Sequence, residues 1–276
     1  MGKTLYLECN SGISGDMTVG ALIDLGADKE VLNKVLSTVN IEGFEIKYSR
    51  VKRAGLDCQD FDVVLDKEHD GHDHDMEYLY GHTHEHEDHH EHHEDHHHEH
   101  HHDHHHEHRG LKEITEIIDS ADMTDNARKI AKRIFEILAD AESKAHGVPV
   151  YEVHFHEVGA VDSIVDVISI AVCIDNLDVD KVIVPKLYEG HGTVRCQHGI
   201  LPVPVPAVTN IVTDHKIRLE ILDVKGELVT PTGAAAVAAL RTDETLPKEF
   251  KIKKVGMGSG KRDYGLAGFV RAMIIE

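Results

Sequence analysis

Two histidines and three acidic residues lie within the short stretch from His154 to Asp166, and their side chains are those that bind metals. Strand side chains alternate, so an extended start would point His154 and His156 to one face, and Asp166 follows Asp162 by one helical turn. Imidazole and carboxylate donors suit first-row divalent metals and leave positions open for a substrate. We therefore predict a metal and catalytic site of His154, His156, Glu157, Asp162 and Asp166. The alternative is a helix N-cap at Asp162 beside histidines hydrogen-bonded at a strand end.

A second candidate metal site lies in the glycine-bearing segment from residue 188 to residue 199. Cys196 and His198 have the spacing of a thiolate and an imidazole on one strand face, and His191 sits between glycines that let a ligand approach closely. A hairpin with exposed polar residues explains the same pattern. His191, Cys196 and His198 are therefore candidate metal ligands.

Three loops have the composition of anion-binding sites. Two precede predicted helices, where backbone N–H groups and the helix dipole favour phosphate, and the third carries two fixed cations after a glycine run. No Walker sequence is present, and ordinary tight turns explain each loop equally well. The predicted cofactor-binding residues are Ser11, Gly12, Ser14, Gly15, Asp16, Thr230, Thr232, Gly233, Lys261 and Arg262.

Residues 69–108 hold 20 of the 26 histidines and 13 acidic residues, with no Lys or Arg. Such a segment cannot bury enough apolar surface to offset its ordering entropy, so we predict a disordered insert. Neutral imidazoles bind nickel, zinc or copper without strong selectivity. The alternatives are an expression tag and a low-complexity expansion that has no role. We predict a metal-binding arm whose ligands include His82, His84, His86, His96, His97 and His98.

Charge and cysteine usage narrow the class of protein. The net charge is −21, of which the histidine-rich block supplies −13, so no basic footprint for nucleic acid exists and an anionic membrane would repel the chain. No signal peptide or membrane-length apolar run is evident. Four cysteines without a C-x-x-C pair fit reduced thiols. We expect a cytoplasmic protein.

Periodicity predicts alternating strands and helices. Strands are predicted at 4–9, 44–53, 56–65, 181–187, 217–222 and 269–275, and helices at 17–25, 29–39, 110–118, 125–145 and 163–177, near 208 and from 231. This pattern indicates an α/β or α+β fold with a mixed sheet and flanking helices. We assign residues 1–68 and 110–276 to the α/β domain, with the metal and substrate site in the second part, and 69–109 to the insert.

Four segments together resemble the nickel-insertion family that matures the nickel-pincer cofactor of lactate racemase. They are Ser11-Gly-Ile-Ser-Gly-Asp-Met17, Val153 to Asp166, His198-Gly-Ile-Leu-Pro-Val-Pro204 and Leu228-Val-Thr-Pro-Thr-Gly-Ala-Ala235. The resemblance runs in order from near Thr4 to at least Asp263 and includes a variable histidine-rich insert. The family commonly has Asp-Ala-Phe-Ser-Gly where this chain has Glu8-Cys-Asn-Ser-Gly.

The resemblance implies a nickel chelatase or cyclometallase. It would install Ni²⁺ into pyridinium bisthiocarboxylate mononucleotide in a reaction coupled to hydrolysis of CTP, which binds with a divalent cation. Full-length family members carry a further C-terminal region associated with nucleotide binding, so the resemblance implies a separately encoded nucleotide-binding chain as partner. We also expect a homo-oligomer. The competing functions are nickel or zinc storage without catalysis, and a metal-dependent hydrolase.

Deleting residues 70–107 is expected to lower the nickel bound per chain several-fold, because most of the histidines are removed. The melting temperature without metal should change little, since a solvated insert adds little to a core. Metal titration and thermal melting of the deletion variant measure both. A large loss of melting temperature would show that the insert is part of the fold.

Overall fold

The computed structural model describes residues 2–66, 109–155 and 160–276. The predicted insert and its ligands lie outside the described residues, as do two members of the predicted metal site. The ligands concerned are His82, His84, His86, His96, His97, His98, His156 and Glu157. The assignments made for them stay predictions.

The described chain contains both strands and helices, several of which follow another element of the same kind. The strands are β1 Lys3–Glu8, β2 Phe44–Arg53, β3 Leu56–Leu65, β4 Val179–Ile183, β5 Leu187–Cys196, β6 Gly199–Val203, β7 Leu219–Lys225, β8 Ile252–Ser259 and β9 Phe269–Ile275. The helices are α1 Gly15–Leu25, α2 Lys29–Leu36, α3 Leu111–Ser120, α4 Asp125–His146, α5 Val161–Asn176, α6 Pro206–Asp214 and α7 Pro231–Leu240. A 3₁₀ turn, Val150–Glu152, follows α4.

Six strands form one mixed sheet in the order β2-β3-β8-β9-β1-β4. The β1–β4 and β3–β8 pairs are parallel, and the β2–β3, β8–β9 and β1–β9 pairs are antiparallel. A second sheet has the order β6-β5-β7, with β5–β6 antiparallel and β5–β7 parallel. The predicted mixed sheet with flanking helices is therefore confirmed.

Helix α5 is the centre of the core and is apolar around most of its circumference. It packs against α1, α2 and α4, and its residues from Val167 to Ile174 are all buried. A helix surrounded by other elements has no solvent face, so its sequence reads as a nearly continuous apolar run. Its N-terminal turn, where Asp162 and Asp166 lie, is the end that reaches the cavity described below.

Glycines let α1 lie directly on strand β8. A Cβ atom added at Gly258 would stand 1.9 Å from the carbonyl oxygen of Met17, and one added at Gly256 would stand 2.3 Å from that of Ala21. From the helix side, a Cβ at Gly20 would lie 2.7 Å from the carbonyl oxygen of Gln59 on β3. The close contact fixes the direction in which the N-terminus of α1 points.

Several predicted elements match residue for residue and others need correction. Strands β2, β3 and β9 begin and end as predicted. The single strand predicted at 181–187 is wrong: β4 ends at Ile183 and β5 begins at Leu187, because Pro185 between them has no N–H for a sheet. The glycine run from residue 256, predicted as a flexible loop, belongs to β8, since its glycines are packed against α1.

Within the described ranges, no helix is both long enough and apolar enough to cross a membrane.

The substitution Gly258→Ala should lower the free energy of unfolding by about 2–3 kcal/mol, because its methyl group would overlap the backbone of α1. Urea unfolding followed by circular dichroism measures the loss. Val255→Ala is the matched control, since Val255 lies on the same strand and is 44% exposed; it should cost less than about 1 kcal/mol. Equal effects of the two variants would contradict the close-contact interpretation.

Candidate active-site cavity

One cavity of about 710 Å³ gathers most of the segments that the sequence singles out. Its walls are the loop before α1, the last turn of α4, the first turns of α5, the β5–β6 hairpin, the segment before α7 and the loop after β8. The predicted site residues that line it are Ser11, Ser14, Gly15, Asp16, Asp162, Asp166, Cys196, His198, Thr230, Thr232, Lys261 and Arg262.

Two half-buried aspartates, Asp16 and Asp166, lie next to each other in the lining of this cavity. Asp16 lies in the first turn of α1, where its Oδ1 accepts hydrogen bonds from the Ser14 hydroxyl and, at 2.8 Å, from the N–H of Met17. Asp166 approaches from α5, and a Cβ added at Gly15 would stand 2.3 Å from its Oδ2. The glycine is therefore required for α1 and α5 to bring their acids together.

Burial makes the charged forms of both carboxyls unfavourable. Loss of solvent raises the pKa of Asp16, although the Ser14 hydroxyl and nearby Lys261 oppose the shift. The pKa of Asp166 is raised well above its ordinary value, first by burial and then by the charges of Asp16 and Asp162. Oδ1 of Asp166 is buried and has no hydrogen-bond partner among the described residues. A proton or a bound cation would satisfy it.

The two predicted anion loops at helix N-termini already use several of their backbone donors. In the first loop, the N–H of Ile13 donates to the Leu228 carbonyl at 2.9 Å, and the carboxylate of Asp16 occupies the start of α1. In the second, the Thr230 hydroxyl accepts the N–H of Gly233 at 3.1 Å. Gly12 and Gly233 lie behind the cavity wall, where their lack of a side chain allows these loops to touch.

Three basic side chains supply positive charge to the cavity lining. Lys261 pairs with Asp62. Arg262 lies 3.4 Å from Glu227 and 3.2 Å from the hydroxyl of Tyr264. Arg195 lies on strand β5 and also lines the cavity. An anionic group entering the cavity would meet these cations, which are held in place by acidic and phenolic neighbours.

A thiol and two imidazoles lie along one side of the cavity. Strand β5 ends at Cys196, and His198 lies in the two-residue turn before Gly199, so the predicted arrangement of both on one strand face is wrong. Gly199 has a φ of 93°, which lets the chain reverse there. His146, in the last turn of α4, completes the group, with its ring centroid 5.0 Å from that of His198. No sequence motif marks His146, because only the packing of α4 brings it here.

Other predicted ligands lie elsewhere. His154 is exposed after the 3₁₀ turn and does not line the cavity. His191 also lies outside the cavity lining and is 3.3 Å from Asp223. Within residues 2–66, 109–155 and 160–276, no three His, Cys, Asp or Glu side chains are grouped closely enough to hold a metal ion. A metal bound by the described residues would therefore take at most two of its ligands from such side chains.

The remaining cysteines have no place in the cavity. Cys9, Cys58 and Cys173 are buried, whereas Cys196 is half-buried. Burial raises the pKa of Cys9 and of Cys173 to about 12, so both stay protonated and behave as small apolar core residues.

A buried carboxylate that the sequence analysis missed connects the cavity walls. The side chain of Glu189 on β5 is fully buried, and its Oε1 accepts N–H groups from Gly190 at 2.8 Å, Leu228 at 2.6 Å and Val229 at 3.2 Å. The carbonyl of Leu228 then accepts the N–H of Ile13. Glu189 thus positions both the segment before α7 and the loop before α1.

The substitution Asp166→Asn should stabilise the metal-free protein at neutral pH. A carboxyl with a raised folded-state pKa contributes stability below its ordinary pKa, near pH 4, and loses it as pH rises through the raised value. At pH 7.5 the variant, which carries no charge there, should therefore exceed the wild type by at least about 1 kcal/mol in unfolding free energy. The difference should shrink toward pH 4.

Chemical denaturation at several pH values, with a chelator present, measures this difference. Asp140→Asn on the exposed side of α4 is the matched control and should leave the pH dependence unchanged. A variant less stable than the wild type at every pH would contradict the assigned electrostatics.

The comparisons with known proteins give one consistent family. The profile of the family described as nickel insertion protein matches residues 5–276. No solved structure is detectably similar.

Several relatives carry the name pyridinium-3,5-bisthiocarboxylic acid mononucleotide nickel insertion protein, and three of them illustrate the similarity. The one from Alkaliphilus metalliredigens is 52% identical over 100% of this chain and 61% of its own length. Those from Clostridium acetobutylicum and Lactiplantibacillus plantarum are 46% and 40% identical over 99% of this chain, covering 64% and 62% of their own lengths. The chain thus spans less than two thirds of these relatives. It belongs to the nickel insertion protein family.

Proposed function

We propose that this chain inserts nickel into pyridinium-3,5-bisthiocarboxylic acid mononucleotide, the compound that names its relatives. The observation that carries the proposal is the cavity itself, whose lining combines the neighbouring acids Asp16 and Asp166 with three basic side chains and with a thiol and two imidazoles. Its volume of about 710 Å³ is within the usual range for a small-molecule site.

The charge of the cavity fits that of the mononucleotide. The compound carries a phosphate and two thiocarboxylates, all anionic, and Arg195, Lys261 and Arg262 are the cations on the cavity wall. Guanidinium groups bind such anions through paired hydrogen bonds. We propose that Arg262, which Tyr264 and Glu227 hold in place, is the principal anchor for one of these groups.

The buried acids fit the chemistry of closing the pincer. Nickel joins the two sulfur atoms and the ring carbon between them, so the C–H bond of that carbon breaks, its electron pair forms the nickel–carbon bond, and a proton leaves. A general base works best when its pKa lies near the working pH. Burial raises the pKa of Asp16 and Asp166 in that direction, so we propose that this pair accepts the proton.

The predicted ligands before α5 remain part of the proposal. His156 and Glu157 precede α5 by a few residues, and Asp162 in its first turn lines the cavity. We propose that His156, Glu157, Asp162 and Asp166 contact nickel or its substrate during insertion, and that exposed His154 contributes to metal delivery.

The described residues fit CTP poorly. Asp16 and Asp166 lie at the N-terminus of α1 and would repel a triphosphate. At the N-terminus of α7, the N–H of Gly233 already donates to the Thr230 hydroxyl. Neither helix N-terminus therefore offers an open triphosphate site. Because the chain spans only 61–64% of the relatives named above, we propose that CTP and its divalent cation bind to a further region or a separate chain.

Storage of nickel or zinc without catalysis is the second candidate function. The histidine-rich segment would suffice for it. A store has no need of a cavity that combines two desolvated acids with basic side chains, which is why insertion is the better supported function.

The decisive experiment combines the chain with Ni²⁺, CTP, the bisthiocarboxylate mononucleotide and the C-terminal region of a longer relative, and detects the nickelated product by mass spectrometry. Arg262→Gln should raise the KM for the mononucleotide by about tenfold while nickel binding is unchanged. Arg218→Gln is the matched control, because Arg218 is exposed and its Nε donates to the Pro185 carbonyl at 3.2 Å, outside the cavity.

Two results would count against the proposal. Nickel binding without any product, under conditions where a full-length relative is active, would favour storage. An unchanged KM in Arg262→Gln would show that Arg262 does not bind the mononucleotide.

A further inference from the structure

Two histidines from distant parts of the chain share one edge of the cavity. His146 ends helix α4, and His198 lies in the turn between β5 and β6. Both line the cavity and both are exposed to solvent. A metal ion arriving from solution would therefore meet these two rings before it reached the buried acids.

The spacing of the rings is that of two imidazoles sharing one ion. Their centroids are 5.0 Å apart and their planes are inclined by 42°. With a metal–nitrogen distance of about 2.1 Å, each centroid lies roughly 3.2 Å from the ion, so ligands at about 90–110° place the centroids roughly 4.5–5.3 Å apart. The observed distance falls within that interval.

An acidic neighbour supports a ligand role for His146. Its Nε2 lies 3.4 Å from Oε2 of Glu142, one helical turn earlier. Metal-binding histidines characteristically direct their second ring nitrogen at a carboxylate, which orients the ring and makes the other nitrogen a better donor. Here Glu142 would take Nε2 and leave Nδ1 for the metal.

We propose that His146 and His198 form a two-imidazole site for Ni²⁺ at the solvent-exposed edge of the cavity. Imidazole nitrogen is a donor that nickel favours over the oxygen ligands preferred by Mg²⁺. The site supplies two protein ligands and leaves the other coordination positions to water. The transfer step rests on the proposed function: the two sulfur atoms of the mononucleotide would replace the water ligands, so that nickel is transferred by ligand exchange.

Cys196 provides a local readout that the many other histidines do not disturb. It lies two residues before His198, lines the same cavity and is half-buried, whereas the other three cysteines are buried. Iodoacetamide should therefore label Cys196 selectively in the native full chain. An ion held by the two imidazoles, with its bound water, would shield this nearby thiol and slow its alkylation.

The experiment measures the rate of Cys196 alkylation in the full chain, by mass spectrometry, with Ni²⁺ in excess over the total histidine content. We expect Ni²⁺ to slow the reaction at least fivefold and Mg²⁺ to leave it unchanged. The double variant His146→Ala/His198→Ala should lose the protection by Ni²⁺. His215→Ala is the matched control, because His215 ends α6 away from the cavity lining, and it should keep the protection.

The alkylation rate without metal shows whether the double variant keeps the cavity intact, and His146→Asn/His198→Asn repeats the test with polar replacements. Protection that persists in both double variants overturns the proposal, as does the absence of protection in the wild type.

This outcome is separable from that of the proposed function, since neither mononucleotide nor CTP is present. Protection of Cys196 without insertion activity would support the two-imidazole nickel site and contradict the proposed function. Insertion activity without protection would support the proposed function and contradict the nickel site. Where both hold, the double variant should need at least tenfold more Ni²⁺ for half-maximal insertion.

Discussion

The buried carboxylate of Glu189 is the interaction on which the cavity depends. One oxygen collects three backbone N–H groups from two chain segments, at a place where no water can replace it. Charge-assisted hydrogen bonds of this kind are among the stronger ones in proteins, and a buried carboxylate without them would be costly. Because the carbonyl of Leu228 accepts the N–H of Ile13, the same interaction also positions the loop before α1. The position of Asp16 therefore depends on a residue in the other sheet.

That constraint forces two acids together at a cost in stability. Gly15 allows α5 to approach, and burial then disfavours the charge on Asp166 and on Asp16. A fold selected for stability alone would be expected to replace one of them, since unpaired buried charge is costly. Keeping both is consistent with a site that binds a cation or moves a proton, where strained electrostatics are commonly found.

The cavity brings several types of side chain together in one space. Carboxyl groups, imidazoles, a thiol, and guanidinium and ammonium groups all line it, and Arg195 directly precedes Cys196 on β5. Borderline metals favour nitrogen and sulfur, whereas anionic ligands are attracted to the cations. The lining therefore offers groups that suit a metal and groups that suit an anion within the same cavity.

The sequence by itself determined the features that local chemistry controls. Strands β2 and β3 were predictable because alternation flanks Ala54 and Gly55, which adopt φ values of 48° and 79° in the tight turn between them. The family followed from ordered short motifs, and the mixed fold followed from alternating periodicities. Most predicted cofactor residues do line one cavity, since their loops all precede or follow core elements.

Only the tertiary structure decided which of these side chains meet. Asp16 lies beside Asp166 because α1 packs on α5, and His146 lies beside His198 because the end of α4 reaches the turn between β5 and β6. No local pattern encodes those contacts. The sequence predicted His154 as a ligand and offered His191 as a candidate, yet neither residue lines the cavity. Periodicity determines which face of an element is buried, whereas the neighbour across that face depends on the packing of the whole chain.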